Sequence, residues 1–314
     1  MVSLFDTAAA DNPHIQVSTA DLIALRQLAR TLDLRASRIR SLHGQNYLSP
    51  FKGRGMEFDE ARPYQPGDDI RSLDWKVTAR SGKPHTKLFR EERERPVIVA
   101  VDYRPAMFFA TRGSFKSVIA ARCAALLAWR ATQQSDRLGG FIFSGTEHRE
   151  WRPSLRTAAT LHFLEQLAER GKPVPGGRQR SQPDAFANAM ARLRRVARPG
   201  SLIALLSDFR DLDAGSEAQL AQMARHNKVI LIFIHDPLEA ELPPPGQYRV
   251  AGNDRDVLLD TRNAHSRAAY AQRFAERRAQ VERLCKRQRM VFLPCATHDD
   301  PLERLQQGLV ARHS

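Results

Sequence analysis

The run Pro96-Val-Ile-Val-Ala-Val-Asp102 constrains the fold more than any other stretch of the chain. Five apolar residues follow one another without interruption, and four of the six from 97 to 102 are valine or isoleucine. Apolar and polar residues would alternate in a strand with one wet face. Their failure to alternate marks a strand buried on both faces, the kind found in parallel sheets flanked by helices. The run stops at a carboxylate, Asp102. Beyond it Phe115, Val118, Ile119, Cys123, Leu126 and Leu127 form one stripe at helical spacing. Ligands of open α/β sheets bind beyond the carboxyl ends of the strands, so Asp102 marks a candidate site.

The rest of the chain follows the same grammar. Leu138–Phe143 predicts a second strand, and Ser144-Gly145 a two-residue turn into an antiparallel edge strand over 146–152. Helices over 154–170 and 184–197 enclose a Pro/Gly/Arg-rich loop at 171–183. Ser201–Ser207 predicts a strand ending at Asp208, followed by a helix over 216–226 and another buried strand over Lys228–Ile234. Pro243–Gly246 breaks the pattern, and 248–259 predicts a hairpin. An arginine-rich helix over 264–288, a strand over Met290–Leu293 and a helix over 301–311 close the chain. The alternation predicts an α/β fold over 95–314: three layers, a mostly parallel sheet and one antiparallel edge strand. Upstream, a leader and helix occupy 1–44. Ser18 or Thr19 is placed to cap that helix, Asp21 lies in its first turn, and Leu22, Leu25, Leu28, Ala29 and Leu32 carry it to about Ser41.

Composition narrows the classes of function. Lys+Arg number 49 against 35 Asp+Glu, a net charge of +14. Such a charge suits an acidic partner, an anionic lipid surface or nucleic acid. The arginines are dispersed and seldom interleaved with aromatics, which favours solvated helix faces or an acidic partner over nucleic acid. Cys123, Cys285 and Cys295 lack metal-type spacing and are expected as reduced thiols. The start of the chain does not read as a signal peptide, and no run of about 18 apolar residues predicts a membrane span. A Gly-x-x-x-x-Gly-Lys-Ser/Thr phosphate loop and a Gly-x-Ser-x-Gly elbow are both missing, and the ten histidines do not cluster at ligand spacing.

Between the leader and the sheet, opposite charges are dense. Glu57, Asp59, Glu60, Asp68, Asp69 and Asp74 stand among Arg54, Arg62, Arg71, Lys76 and Arg80. They predict a small ion-paired, β-rich module over 45–94, with Tyr64 and Trp75 supplying apolar contacts. From Gly53 to Arg80 the pattern is Gly-Arg-Gly-x-Glu-Phe-x-Glu-x-Arg-x-Tyr-x-Pro-Gly-Asp-Asp-x-Arg-x-x-Asp-Trp-x-x-Thr-Ala-Arg. It resembles the signature of the bacterial family called domain of unknown function 58. Lys87-Leu-Phe-Arg-Glu-Glu, Leu206-Ser-Asp-Phe209 and Asp236-Pro-Leu-Glu239 with Leu242-Pro243 extend the resemblance over roughly residues 40–295.

The resemblance implies a von Willebrand factor A-like fold; the cysteine usage and the start of the chain predict a cytoplasmic protein, with attachment at the periphery of the inner membrane as a variant. The resemblance also implies a non-enzymatic adaptor that works with a MoxR-type AAA+ ATPase, and with other von Willebrand factor A proteins, in assembling or maturing complexes. In that fold a divalent ion is held by Asp-x-Ser-x-Ser after the first strand, a Thr from a later loop and an Asp after the fourth strand. Here Asp102 and Asp208 match the acids, with Ser207 beside the second. Arg104 and Ala106 stand at the serine positions, and Ser181 is the only hydroxyl in the loop that would supply the Thr. The metal-ion-dependent adhesion site is therefore degenerate. The expectation is no cofactor, with Asp102 and Asp208 paired to Arg104; Mg²⁺ on the two acids is the alternative. The expected partner surface comprises Asp102, Arg104, Ser207 and Asp208 on the sheet, and Arg54, Glu57, Asp68, Asp69, Arg71, Asp74 and Trp75 in the module. Two rival readings are a nucleic-acid binder using the basic surface, and a metal-dependent hydrolase in which the 68–76 acids hold the metal and Lys76 orients water.

Overall fold

The computed structural model describes residues 12–34, 56–66, 68, 70, 73–91, 94–173, 182–250 and 257–310. The chain divides into two compact units, Arg38–Glu94 and Met1–Ser37 with Arg95–Ser314.

In the unit Arg38–Glu94, β1 (Met56–Pro63) pairs antiparallel with β2 (His85–Glu91), with a register shift between Phe58 and Glu60. A short helix, Trp75–Ser81, lies between them in sequence. Its N-cap is Asp74, whose Oδ1 accepts from the amides of Lys76 at 3.0 Å and Val77 at 3.2 Å. A carboxylate there satisfies free amides and faces the positive end of the helix.

In the larger unit β3 (Pro96–Asp102), β4 (Arg137–Phe143), β5 (His148–Ser154), β6 (Leu202–Ser207), β7 (Lys228–His235) and β10 (Val291–Ala296) form one sheet in the order β10-β7-β6-β3-β4-β5. Every neighbouring pair is parallel except β4 with β5. The fold is mixed α/β with a mostly parallel central sheet. A separate antiparallel hairpin joins β8 (Gln247–Val250) to β9 (Val257–Asp260).

The unbroken apolar run at β3 has the burial it calls for. Val97, Val99 and Val101 enter a core with residues of the helices Lys116–Gln133, Thr157–Arg170 and Pro301–Val310. Ile98 and Ala100 enter the opposite core, with residues of Ala185–Val196, Ala214–His226 and Ala264–Gln288. Helices thus cover both faces, and a strand with only one apolar face would leave one core unfilled.

Two local expectations need correction. The link between β4 and β5 is four residues, Ser144–Glu147, not two. The Ser144 amide donates to the Glu147 carbonyl at 2.8 Å, so β5 starts at His148. The N-terminal helix ends at Ala24 and is followed by a 3₁₀ turn, Leu28–Thr31, so it does not run unbroken towards Ser41. Residues 35–41 lie outside the described residues. The break has a packing cause. Leu22, Ala29, Leu32 and Leu34 are all buried in one core, whereas a continuous helix would turn Leu34 away from the other three. Ser18 caps the segment in a capping box with Asp21.

Candidate functional site

The chain leaves β3 for β4 on one side of the sheet, and β6 lies on the other. The strand order reverses between β3 and β6, the kind of position where a crevice forms beyond the strand ends. Val101 is in register with Leu206, so Asp102 and Ser207 stand at adjacent tips with Asp208 following. The Ser207 hydroxyl donates to Asp102 Oδ2 at 2.6 Å and accepts from the Phe209 amide at 2.9 Å.

Arg104 closes over this pair. Its Nε lies 3.1 Å from each Asp102 oxygen, its Nη2 2.8 Å from Asp102 Oδ2, and its amide donates to Oδ1 at 2.9 Å. Nη2 also reaches the Arg210 carbonyl at 3.1 Å and stands 3.6 Å from Asp208 Oδ1. Nη1 donates to Asp211 at 2.8 Å. The guanidinium lies 4.7 Å over the ring of Phe186.

A second cation comes from below. Lys116, the first residue of its helix, is 0% exposed; its Nζ bonds Asp208 Oδ2 at 2.9 Å and Glu239 Oε1 at 2.7 Å. Arg210 bridges the same two acids from the outside, 3.3 Å from Asp208 and 2.7 Å from Glu239. Arg277 reaches the other Glu239 oxygen at 3.3 Å. Four carboxylates (Asp102, Asp208, Asp211, Glu239) therefore meet four cations (Arg104, Lys116, Arg210, Arg277), and their formal charges cancel.

Burial opposes ionisation of Asp208 more than any other single influence. Lys116, Arg104 and the Arg210 amide together outweigh it and hold the carboxyl below its ordinary range. Burial likewise works against the charge on Arg104, and Asp102, Asp208 and Asp211 reverse the balance, raising its pKa. Both groups are locked in their charged forms.

The loop after β6 is held in an unusual backbone. Phe209 has φ +52° and Asp211 φ +64°. For a bulky side chain the left-handed region is a strained choice. Phe209 is kept there by a near-parallel stack on Phe233 (centroids 6.1 Å apart, 8° between planes) and an edge contact with Phe186. Beside this loop, Asp236 ties together the segments that follow β3, β7 and β10. It accepts from the Thr111 amide and hydroxyl at 2.8 and 2.6 Å, from the Thr297 hydroxyl at 2.8 Å and from the Leu238 amide at 2.9 Å.

These residues do not fit a divalent ion. Both oxygens of Asp102 are already engaged by Arg104, and one also by Ser207. Asp208 faces Lys116, Arg104 and Arg210. An added dication would stand among cations with no net negative charge to neutralise. Among the described residues no group of three His, Cys, Asp or Glu side chains is placed to hold a metal.

In the module, the described site residues make local contacts. Asp68 accepts from Arg62 at 2.7 Å and from the Gln65 amide at 2.9 Å. Asp74 is a helix cap. Trp75, expected to supply an apolar contact, is instead 69% exposed. Arg54, Asp69 and Arg71 lie outside the described residues, as does Ser181, and Glu57 is described only by its place on β1.

Sequence reasoning missed Lys116, Arg210, Glu239 and Arg277. Lys116 carried a readable signal: a lysine opening an apolar helix sits at the positive end of the helix dipole, where cations are disfavoured unless acids face them. Glu239 belongs to the quoted Asp236-Pro-Leu-Glu239 motif.

The fold and site define a class: an α/β protein whose switch point is filled by an internally neutralised cluster of its own charges. The chain belongs to the family described as Protein of unknown function DUF58, which matches residues 60–280. An uncharacterized protein of Mycobacterium bovis is 31% identical over 265 residues, covering 80% of this chain and 78% of its own. Uncharacterized proteins from two Mycobacterium tuberculosis strains match to the same extent. Among solved structures, the conserved hypothetical protein BatB from Bacteroides thetaiotaomicron is 16% identical. It has a TM-score of 0.44 over 69% of this chain and 98% of its own. No helix among the described residues is long and apolar enough to cross a membrane.

Proposed function

We propose that this chain is a non-enzymatic, von Willebrand factor A-like adaptor that receives an acidic partner surface on the rim of its sheet crest, where Arg210 and Asp211 are exposed above the buried Asp102, Arg104, Ser207 and Asp208. The observation that carries this reading is the layering of the ion cluster. Its base, formed by Asp102, Asp208 and Lys116, is fully buried, while Arg210 and Asp211 at its outer edge are 45% and 65% exposed. A rigid buried base under an exposed charged rim suits recognition, where rim charges steer and register a partner. It does not suit acid–base chemistry, which needs a group poised to exchange a proton near the working pH.

The strand order, with one antiparallel edge beside a parallel core, supports the von Willebrand factor A-like reading. The partner we infer from the family resemblance is a MoxR-type AAA+ ATPase, met in the cytoplasm or at the inner face of the membrane, in the assembly of other complexes. Co-purification from the source cell tests it. The wild-type chain recovers the ATPase, and Arg210→Glu recovers about ten-fold less, as expected from reversing one interfacial charge. Equal recovery by the two chains, at matched folding, removes the crest from the interface.

A further inference from the structure

Resting on the docking reading, we propose that Asp211 is a built-in plug on the crest, and that a carboxylate of the partner exchanges with it on Arg104. The three guanidinium nitrogens of Arg104 have different surroundings. Nε and Nη2 face inward, to Asp102, Asp208 and the Arg210 carbonyl. Nη1 bonds Asp211 at 2.8 Å, and Asp211 is the one acid of the cluster that is largely exposed, at 65%, while Arg104 itself is 3% exposed. Asp211 is therefore the one acid of the cluster that solvent, or a partner, reaches directly. It also sits at φ +64°, two residues beyond Phe209 at φ +52°, a left-handed backbone that aspartate tolerates better than most residues.

The charge balance says what would replace it. Without Asp211 the cluster has three acids against four cations, one positive charge in excess at its outer edge. A Glu or Asp side chain from a partner would restore the balance and form the same charge-assisted bond to Nη1. The chain's net charge of +14 draws acidic surfaces towards it. Occupation of Nη1 by the chain's own acid weakens acidic partners, which compete for that donor, and removing it would strengthen acidic partners alone.

The test uses the full chain and a fluorescein-labelled octapeptide carrying four glutamates, with its glutamine counterpart as reference, read by anisotropy. Asp211→Gly removes the carboxylate and accepts the positive φ. Asp184→Gly is the charge-matched control; Asp184 is exposed and caps the helix Ala185–Val196 without a side-chain bond. Asp211→Gly is expected to bind the glutamate peptide about two- to five-fold more tightly than wild type or Asp184→Gly, the range of one partly exposed ion pair. The glutamine peptide should show no gain. Equal binding by the two glycine variants, or an equal gain for the glutamine peptide, overturns the plug. Either result leaves the docking reading to the co-purification with Arg210→Glu, which does not involve Asp211.

Discussion

Lys116→Met is expected to lower the unfolding free energy by about 3–5 kcal/mol, the usual cost of removing one partner from a buried ion pair. Methionine keeps the length and apolar stem of the side chain, so packing changes little and the loss reports the charge. The Lys116 ammonium is 0% exposed and is shared by Asp208 at 2.9 Å and Glu239 at 2.7 Å. Its removal leaves two buried carboxylates with fewer cations than they need. Adding Glu239→Gln should recover part of the loss, because Asp208 keeps Arg104 and Arg210. The penalty should also shrink in acid. In the wild-type chain Asp208 is held below its usual pKa of 3.8. Its ionised form therefore stabilises the fold fully above that pH, and the contribution disappears as pH falls through the lower folded value. Urea denaturation with an unchanged m-value measures each variant. A loss under about 1 kcal/mol for Lys116→Met would show that the ammonium is not the counter-charge assigned to it.

Gly113→Ala should cost about 3–5 kcal/mol, combining left-handed strain with overpacking. Gly113 has φ +75°, and an added Cβ would lie 2.1 Å from the Thr297 carbonyl oxygen and 2.7 Å from His298 Cα. These are backbone atoms and cannot rotate away. The same carbonyl accepts from the Ser114 amide at 3.0 Å, and the Thr297 hydroxyl bonds Asp236. The clash therefore falls on the contacts that join the crest loops. Gly200→Ala separates strain from collision: φ is +83°, yet nothing lies within 4 Å of the new Cβ, so about 1 kcal/mol is expected. Thermal unfolding should place Gly113→Ala about 10 °C below wild type and Gly200→Ala only a few degrees below. Equal shifts would mean that the loop retreats from Thr297 without cost.

Much of this fold was legible because its strands are unusually explicit. Pro96–Asp102, Ser201–Ser207 and Lys228–Ile234 are apolar runs bounded by breakers, and each is a central strand of the sheet. The meeting of Asp102 and Asp208 was legible too, since both end buried strands and the crevice rule brings such ends together. Arg104 was legible because it lies two residues from Asp102. The remainder of the cluster was not, because its partners are remote in sequence: Lys116 reaches Asp208 across 92 residues and Glu239 across 123. Local pattern carries no information on such pairings. The break after Ala24 was hidden for a related reason: the stripe from Leu22 to Leu32 fits a helix, and only the burial of Leu34 demands that it end. In the smaller unit the charge density points to ion pairs, and Arg62 with Asp68 at 2.7 Å is one, but Asp74 serves as a helix cap, a role that competes for the same carboxylate.

The crest carboxylates are neutralised by the chain's own arginines and lysine. Calorimetric titration of Mn²⁺ into the purified chain tests this most directly. The balanced cluster predicts heats of dilution alone up to millimolar ion, identical for wild type and Asp102→Asn. A micromolar binding isotherm that vanishes in Asp102→Asn would mean that a metal displaces Arg104, and would contradict the account.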